Sequence, residues 1–332
     1  MGDLTSFDNT AYVALTVTKI QATDLVDADL GKIGITYSDP ITAEAGHMSA
    51  SQYKTQYTTG YKIASVALPM YLQTGVFLYA MLGTCATTGA YTHAISLNAS
   101  QTPIWLAFHW EKELTGQDLR YDFFGFMPKT WNLVCGEDKA RWIAKQKFIA
   151  DFACSDATAA DLAEPAKLTL ANYEWSDLKH ASGALTIKYN GTDLEFDIRG
   201  FDLTLTRTKP LWGAKNATGF PSEAFISGVG IDLKLDGYVT GDNVRTLMAT
   251  KPESYVSTYL DVVITFYKSA TRLFTITLSN VYLIPDEDVM NATDWYEKKT
   301  LKITSFGSTV AAPTSVTGSV IDTLDATYYE NP

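Results

Sequence analysis

The stretch Val229–Asp236 reads VGIDLKLD. Ile231, Leu233 and Leu235 alternate with Asp232, Lys234 and Asp236. A period of two puts one set of side chains in a core and the other in water, which is a strand with one buried face. The same pattern recurs along the chain. Ala11–Ile20 (AYVALTVTKI) sets Tyr12, Ala14, Thr16 and Thr18 against Val13, Leu15, Val17 and Lys19. Strand runs also read at Ile104–Trp110, Ala184–Tyr189, Leu194–Ile198, Leu203–Thr206, Val262–Tyr267, Phe274–Leu278 and Leu301–Phe306. Only Thr74–Leu82, Glu137–Ala144, Asp242–Thr250 and Pro285–Trp295 read as helices, all short. Asp242 suits an N-cap, and acidic starts at Glu137 and Asp286 suit helix N-termini.

Composition agrees with a β protein. The 332 residues are 46% hydrophobic, 19% charged and 12% aromatic, with 19 Tyr and 15 Phe. That is ample for packed cores, and Tyr, Phe, Trp, Val, Ile and Thr favour a pleated, half-buried surface. The formal charge is -11, with no run of Lys and Arg of the kind that grips nucleic acid. Such acidity either keeps the chain soluble or repels polyanions. Three cysteines, Cys85, Cys135 and Cys154, form no CxxC pair and read as small buried hydrophobes. The opening MGDLTSFDNT lacks the basic-then-apolar pattern expected of a signal peptide, and no apolar run nears the ~20 residues of a membrane span. Gly2 and Ser6 match the myristoylation pattern, and Asn98, Asn190, Asn216 and Asn291 begin sequons. Both are read as chance matches of short patterns.

The chain divides into two halves that share an ordered series of landmarks. Pro40 opens a polar loop closing at Thr59-Gly60, and Pro210 one closing at Ser227-Gly228. Each loop leads to a strand, then a short helix after Gly75 or Gly241, then further strands. Separations between matched residues fall steadily: Pro40 to Pro210 by 170, Gly60 to Gly228 by 168, Met81 to Met248 by 167, Phe108 to Phe266 by 158 and Phe152 to Phe306 by 154. Chance matches would scatter. A duplication whose first copy gained residues, mainly at 84–102, gives such a drift. The boundaries expected are a first domain at 1–155, a linker at 156–170 that overlaps the Ala/Asp-rich CSDATAADLAEPAK (Cys154–Lys167), a second domain at 171–310 and a C-terminal arm at 311–332 that reaches a neighbouring molecule. The fold class expected is mainly β: two tandem β-sandwich or barrel-like domains, each with short flanking helices.

Catalytic patterns are missing. His47, His93, His109 and His180 are scattered, and His109-Trp110-Glu111 lacks the PCxxC of a zinc deaminase. No GxSxG, P-loop or GxGxxG occurs. The acidic run Asp286-Glu287-Asp288 reads as helix capping. No catalytic residue, cofactor or metal is expected. Trp105, Phe108, Trp110, Phe123, Phe124 and Phe126 suit a core, a subunit interface or a carbohydrate platform.

Three segments carry a family resemblance: MLGTCATTGAYTHAISL (Met81–Leu97), IRGFDLTLTRTKPLW with SGVGIDLKLDG (within Ile198–Gly237), and LSNVYLIP followed by an acidic helix and KTLKITSF (Leu278–Phe306). In this order they resemble the major tail tube proteins of long-tailed phages. The resemblance implies a virion tail protein, assembled in the host cytoplasm, whose sheets join laterally into a closed barrel around a lumen. Rings then stack into a tube for DNA, with a tape-measure protein inside and no sequence-specific binding. Six domains make the usual ring, so a doubled chain implies a trimer with pseudo-sixfold symmetry. An acidic lumen would repel phosphates. The long loops Ser38–Thr59 and Thr208–Ser227 are the expected inter-ring contacts, through Pro40, His47, Tyr53, Pro210, Trp212 and Phe220. The competing expectation is a β-sandwich carbohydrate-binding or adhesin module using exposed aromatics.

Overall fold

The computed structural model describes residues 8–15, 20–23, 34–38, 41–42, 58–59, 63–98, 106–114, 117–136, 144–152, 172–174, 185–189, 191–207, 211–212, 224–225, 228–244, 260–269, 271–284, 298–305, 314–322 and 329. In chain order the elements are β1 (Asp8–Leu15), β2 (Ile20–Thr23), β3 (Gly34–Ser38), β4 (Ile41–Thr42), β5 (Thr58–Thr59), β6 (Ile63–Tyr71), helix α1 (Val76–Leu82), β7 (Gly83–Thr88), β8 (Thr92–Leu97), β9 (Leu106–Leu114), β10 (Gln117–Gly136) and β11 (Lys145–Phe152). There follow β12 (Leu185–Tyr189), β13 (Thr192–Asp193), β14 (Phe196–Arg207), β15 (Leu211–Trp212), β16 (Ala224–Phe225), β17 (Val229–Val239), β18 (Leu260–Ser269), β19 (Arg272–Ile284), β20 (Lys298–Thr304) and β21 (Ser315–Ile321). The protein is mainly β, as its composition predicts.

Every pairing of these strands is antiparallel. The backbone of the fold is a run of eight strands in the order β3-β6-β11-β10-β14-β17-β20-β19. Branches leave it at the two longest strands. The first half of β10 pairs with β9, which pairs with β1 and then β2. The first half of β19 pairs with β18 on one side and with β21 on the other. From β18 the sheet runs to β12 and β13, and from β21 to β8 and β7. Among the described residues these pairings branch but never return on themselves, so the sheet is large and open.

Both branching strands change partners at local irregularities. The register of β10 shifts between Phe123 and Phe126 and again between Pro128 and Thr130, as it leaves β9 for β11. In β19 the change falls at Asn280, whose φ of 57° is left-handed. Asn tolerates that region better than most residues. Its N–H donates to an Asp261 carboxylate oxygen and its carbonyl accepts from the Thr314 hydroxyl.

The core explains the alternation. Leu203, Leu205, Leu233, Leu235, Leu301 and Ile303 are buried on one face of the eight-strand run, and Trp131, Leu133 and Phe148 continue that face across β10 and β11. α1 and a second sheet, made by the branches β13-β12-β18-β19-β21-β8-β7, cover it. Phe77 of α1 lies 5.0 Å from Phe148, and Phe201 lies 5.7 Å from Phe266 of β18. Every residue of α1 is buried, and the helix stops at Gly83, whose φ of 100° favours glycine. One connected core runs through both halves of the chain.

Of the expected helices, α1 starts two residues later than the pattern suggests, and a helical turn begins at 242–244. The other two, Glu137–Ala144 and Pro285–Trp295, lie outside the described residues, apart from Ala144. Residues 194–198 and 203–206 merge into the single strand β14, through a register shift between Ile198 and Gly200. The C-terminal segment, expected to reach a neighbouring molecule, places β21 between β8 and β19 of its own chain. Among the described residues no helix is long and apolar enough to cross a membrane.

Candidate assembly interface

Two kinds of strand edge define the candidate site: a seam already made and edges still open. The seam is the β10–β14 ladder, which joins the first half of the chain to the second from Thr130 opposite Thr206 to Gly136 opposite Gly200. Its glycines permit a close approach, because a Cβ on Gly200 would lie 3.3 Å from both the Cys135 carbonyl oxygen and the Gly136 Cα. Asn132 ties the wet face across the seam, donating to the Asp202 carboxylate at 2.5 Å and to the Thr204 hydroxyl at 2.8 Å. A groove of about 290 Å³ lies over the glycine end, lined in part by Arg199, Asp202, Asp236, Tyr238 and Lys298.

On the buried side, Arg207 closes the seam. It follows Phe201, Leu203 and Leu205 on the core face of β14, and its Nε donates to the Met81 carbonyl at the end of α1 at 3.0 Å. Its Nη2 donates to the same oxygen. A guanidinium there satisfies a helix-end carbonyl and complements the negative end of the helix. Burial lowers its pKa to about 10. Sequence reasoning passed over Arg207, although a charged residue on the apolar parity of LTLTR marks it.

The open edges lie at the two ends of the eight-strand run. Among the described residues, β3 pairs only with β6, while 282–284 of β19 pair only with β20. Among the described residues Ile284 is one of few large apolar side chains well exposed, at 43%. Exposed edges carry backbone donors and acceptors ready to pair with another strand.

The loops expected to make inter-ring contacts share one design. β4 pairs with β5 at the base of the first, and β15 with β16 at the base of the second. Trp212 stands opposite Ala224 in the second ladder. Pro40, His47, Tyr53, Pro210 and Phe220 lie outside the described residues. Of the aromatics proposed for a carbohydrate platform, Phe126 is fully buried in the core.

A third cluster fastens the C-terminal segment. Asp322, His93 and Tyr329 are all buried. The Tyr329 ring stacks on His93 at 3.8 Å, and its hydroxyl donates to Asp322 and accepts the Gly75 N–H at 3.0 Å. His93 Nε2 lies 3.4 Å from Asp322, and its Nδ1 lies 3.0 Å from the Thr87 hydroxyl. Arg272 donates to the Asp322 carbonyl, and the Tyr173 hydroxyl to the Ile321 carbonyl at 2.9 Å. Burial raises the Tyr329 and Tyr173 pKa values, with the Asp322 charge adding to both. A hydroxyl, imidazole and carboxylate stand in line here, but the imidazole lies sealed beneath a tyrosine ring. The arrangement acts as a clasp. Among the described residues no group of three or more His, Cys, Asp or Glu could hold a metal ion. No protein-family model matches the chain, and no curated protein matches it in sequence.

Proposed function

We propose that the chain is a duplicated tail-tube-like subunit, and that three copies close through their open strand edges into a ring that stacks into a conduit. The observation that carries this reading is the equivalence of the two halves in strand pairing. In the first half the order is β1-β9-β10-β11-β6-β3. In the second it is β12-β18-β19-β20-β17-β14. Taken by position along the chain, these are the same order. The two-residue ladders β4–β5 and β15–β16 fall at matching places, and β7 with β8 occupies the region of the expected insertion, 84–102.

The equivalence gives the open edges a partner. β10 of the first half pairs with β14 of the second. Their counterparts are β19 and β3; among the described residues β3 pairs only with β6, and 282–284 of β19 only with β20. Repeating the seam between chains joins β19 of one copy to β3 of the next. Such a head-to-tail contact makes a ring when the rotation closes. Three chains bring 24 strands, and at about 4.8 Å per strand the backbone ring is at least ~37 Å across before strand tilt widens it. Barrels of 16–18 strands already enclose aqueous channels. Subtracting about 5 Å of side chain on each wall leaves roughly 27 Å, wide enough for a nucleic-acid duplex.

Negative-stain microscopy with mass measurement tests the reading. Hollow rings of three-chain mass are expected, and Ile284→Lys, which puts a charge on the open edge, should leave folded protein that no longer closes rings. Wild-type protein that stays a monomer at every concentration where it is soluble refutes the proposal.

A further inference from the structure

The chain carries a formal charge of -11, yet one extended surface is not acidic. It is the wet face of the eight-strand run, opposite the face packed on α1 and the second sheet. On β11, Lys145 and Lys147 alternate with buried Gln146 and Phe148. On β17, Asp232, Lys234 and Asp236 alternate with buried Ile231, Leu233 and Leu235. On β20, Lys298 and Lys302 share the wet face, and on β14 it carries Asp202 and, opposite and beside Tyr238, the paired Asp197 and Arg199. The described side chains on this face therefore include five lysines, one arginine and four aspartates.

The registers interleave these charges. Asp202 stands opposite Lys234, which stands opposite Lys302. Asp232 stands opposite Thr204 on one side and Thr304 on the other. Asp236 accepts a hydrogen bond from the Thr300 hydroxyl, and Asp202 from Asn132. Cross-strand neighbours on one face sit about 5 Å apart, so each aspartate offsets nearby lysine charge at a range where salt screens little. Over the described side chains the net is about +2, on a surface belonging to an acidic protein. An acidic wall that repels phosphates, as the whole-chain charge suggests, is not what this face presents.

Resting on the conduit reading, we infer that this face meets the phosphate backbone of a passing nucleic-acid duplex, and that Asp202, Asp232 and Asp236 keep the contact weak enough to slide. Lysines alone at these positions would hold the polyanion, because each phosphate neutralised releases counterions and adds to affinity. Aspartates alone would oppose its entry. A mixed face does neither, and Thr, Asn and Tyr between the charges keep it wetted.

The test uses the full chain and a short DNA duplex, read by fluorescence anisotropy at several salt concentrations. Wild-type protein is expected to bind weakly or not measurably near 0.05 M salt. The triple variant Asp202→Asn, Asp232→Asn, Asp236→Asn raises the face by three charges. It should bind at least about tenfold more tightly, with a log K against log salt slope steeper by roughly 2–3. Adding Lys234→Gln and Lys302→Gln to the triple variant should abolish most of that gain. Tight wild-type binding, or a folded triple variant with no gain, overturns the inference. Asp232→Asn alone, at an exposed site, supplies a milder version should the triple variant fold poorly. Ring imaging of the same samples separates the two proposals: rings without the gain sink only the sliding face, and the gain without rings sinks only the tube.

Discussion

Replacing Tyr329 by Phe removes one oxygen from the C-terminal clasp and nothing else. Tyr329 is 2% exposed, and its hydroxyl both donates to the Asp322 carboxylate and accepts the Gly75 N–H. A hydrogen bond to a charged group contributes about 1.5–3 kcal/mol, and a buried group left without its partner costs about 1–3 kcal/mol. The two losses overlap, so the expected destabilisation is about 2–4 kcal/mol. Urea titration at pH 7, followed by fluorescence and circular dichroism, measures it. Asp322→Asn and the double variant complete a cycle, with an expected coupling of about 1 kcal/mol or more between the two sites. The pH dependence carries its own sign. Burial raises the folded-state Tyr329 pKa, so the folded protein keeps a proton that the unfolded chain loses above about 10. That contribution is full below pH 10 and declines above it, so the gap between wild type and Tyr329→Phe should narrow at alkaline pH. A loss below about 0.5 kcal/mol at pH 7, or strictly additive variants, would refute the clasp.

Further predictions concern the same segment. A Cβ at Gly318 would lie 2.5 Å from the Leu78 Cδ2 in the core, so Gly318→Val should cost about 1–3 kcal/mol by overpacking and speed proteolysis of the C-terminal segment. Burial pushes the Cys85 thiol up to about 11 from 9.0, and Tyr173 is raised from 10.0 as well. Both raised values mean stability that is complete below pH 9 and falls as pH rises through the folded values. Lys268 and Arg207, both lowered by burial, oppose this trend, because their unfolded forms bind the extra proton, but the three raised groups Tyr329, Tyr173 and Cys85 outnumber them. The urea midpoint should therefore drop between pH 9 and 11, and thiol reagents should label Cys85 slowly at pH 8.

Much of the local structure is legible in the chain, because strand periodicity is a property of neighbouring residues. The alternation in VGIDLKLD becomes β17 with Ile231, Leu233 and Leu235 buried, and FDLTLTR becomes the second part of β14. Gly75 and Gly83 bracket α1. Even Arg207 announces itself as a charge on an apolar parity. The single strand β14 is harder to read, because the shift between Ile198 and Gly200 breaks the alternation that would have joined its two parts.

Partner choice is another matter. Backbone hydrogen bonds are nearly blind to side-chain identity, so VTGSV-like runs do not state which edge they will meet. β21 gains its place because α1, β8 and β19 leave a slot that Gly318 and Val320 fill, and because Asp322 finds His93 and Tyr329 there. His93 and Asp322 are 229 residues apart, beyond any local pattern. Likewise the formal charge of -11 is set by the sequence, but its absence from the wet face of β11, β14, β17 and β20 follows from register, which alone decides that Asp202 stands beside Lys234. Composition and periodicity therefore determined the class of structure. The tertiary pairing decided the seam, the open edges and the charge each face presents, since those depend on which distant strands share a ladder.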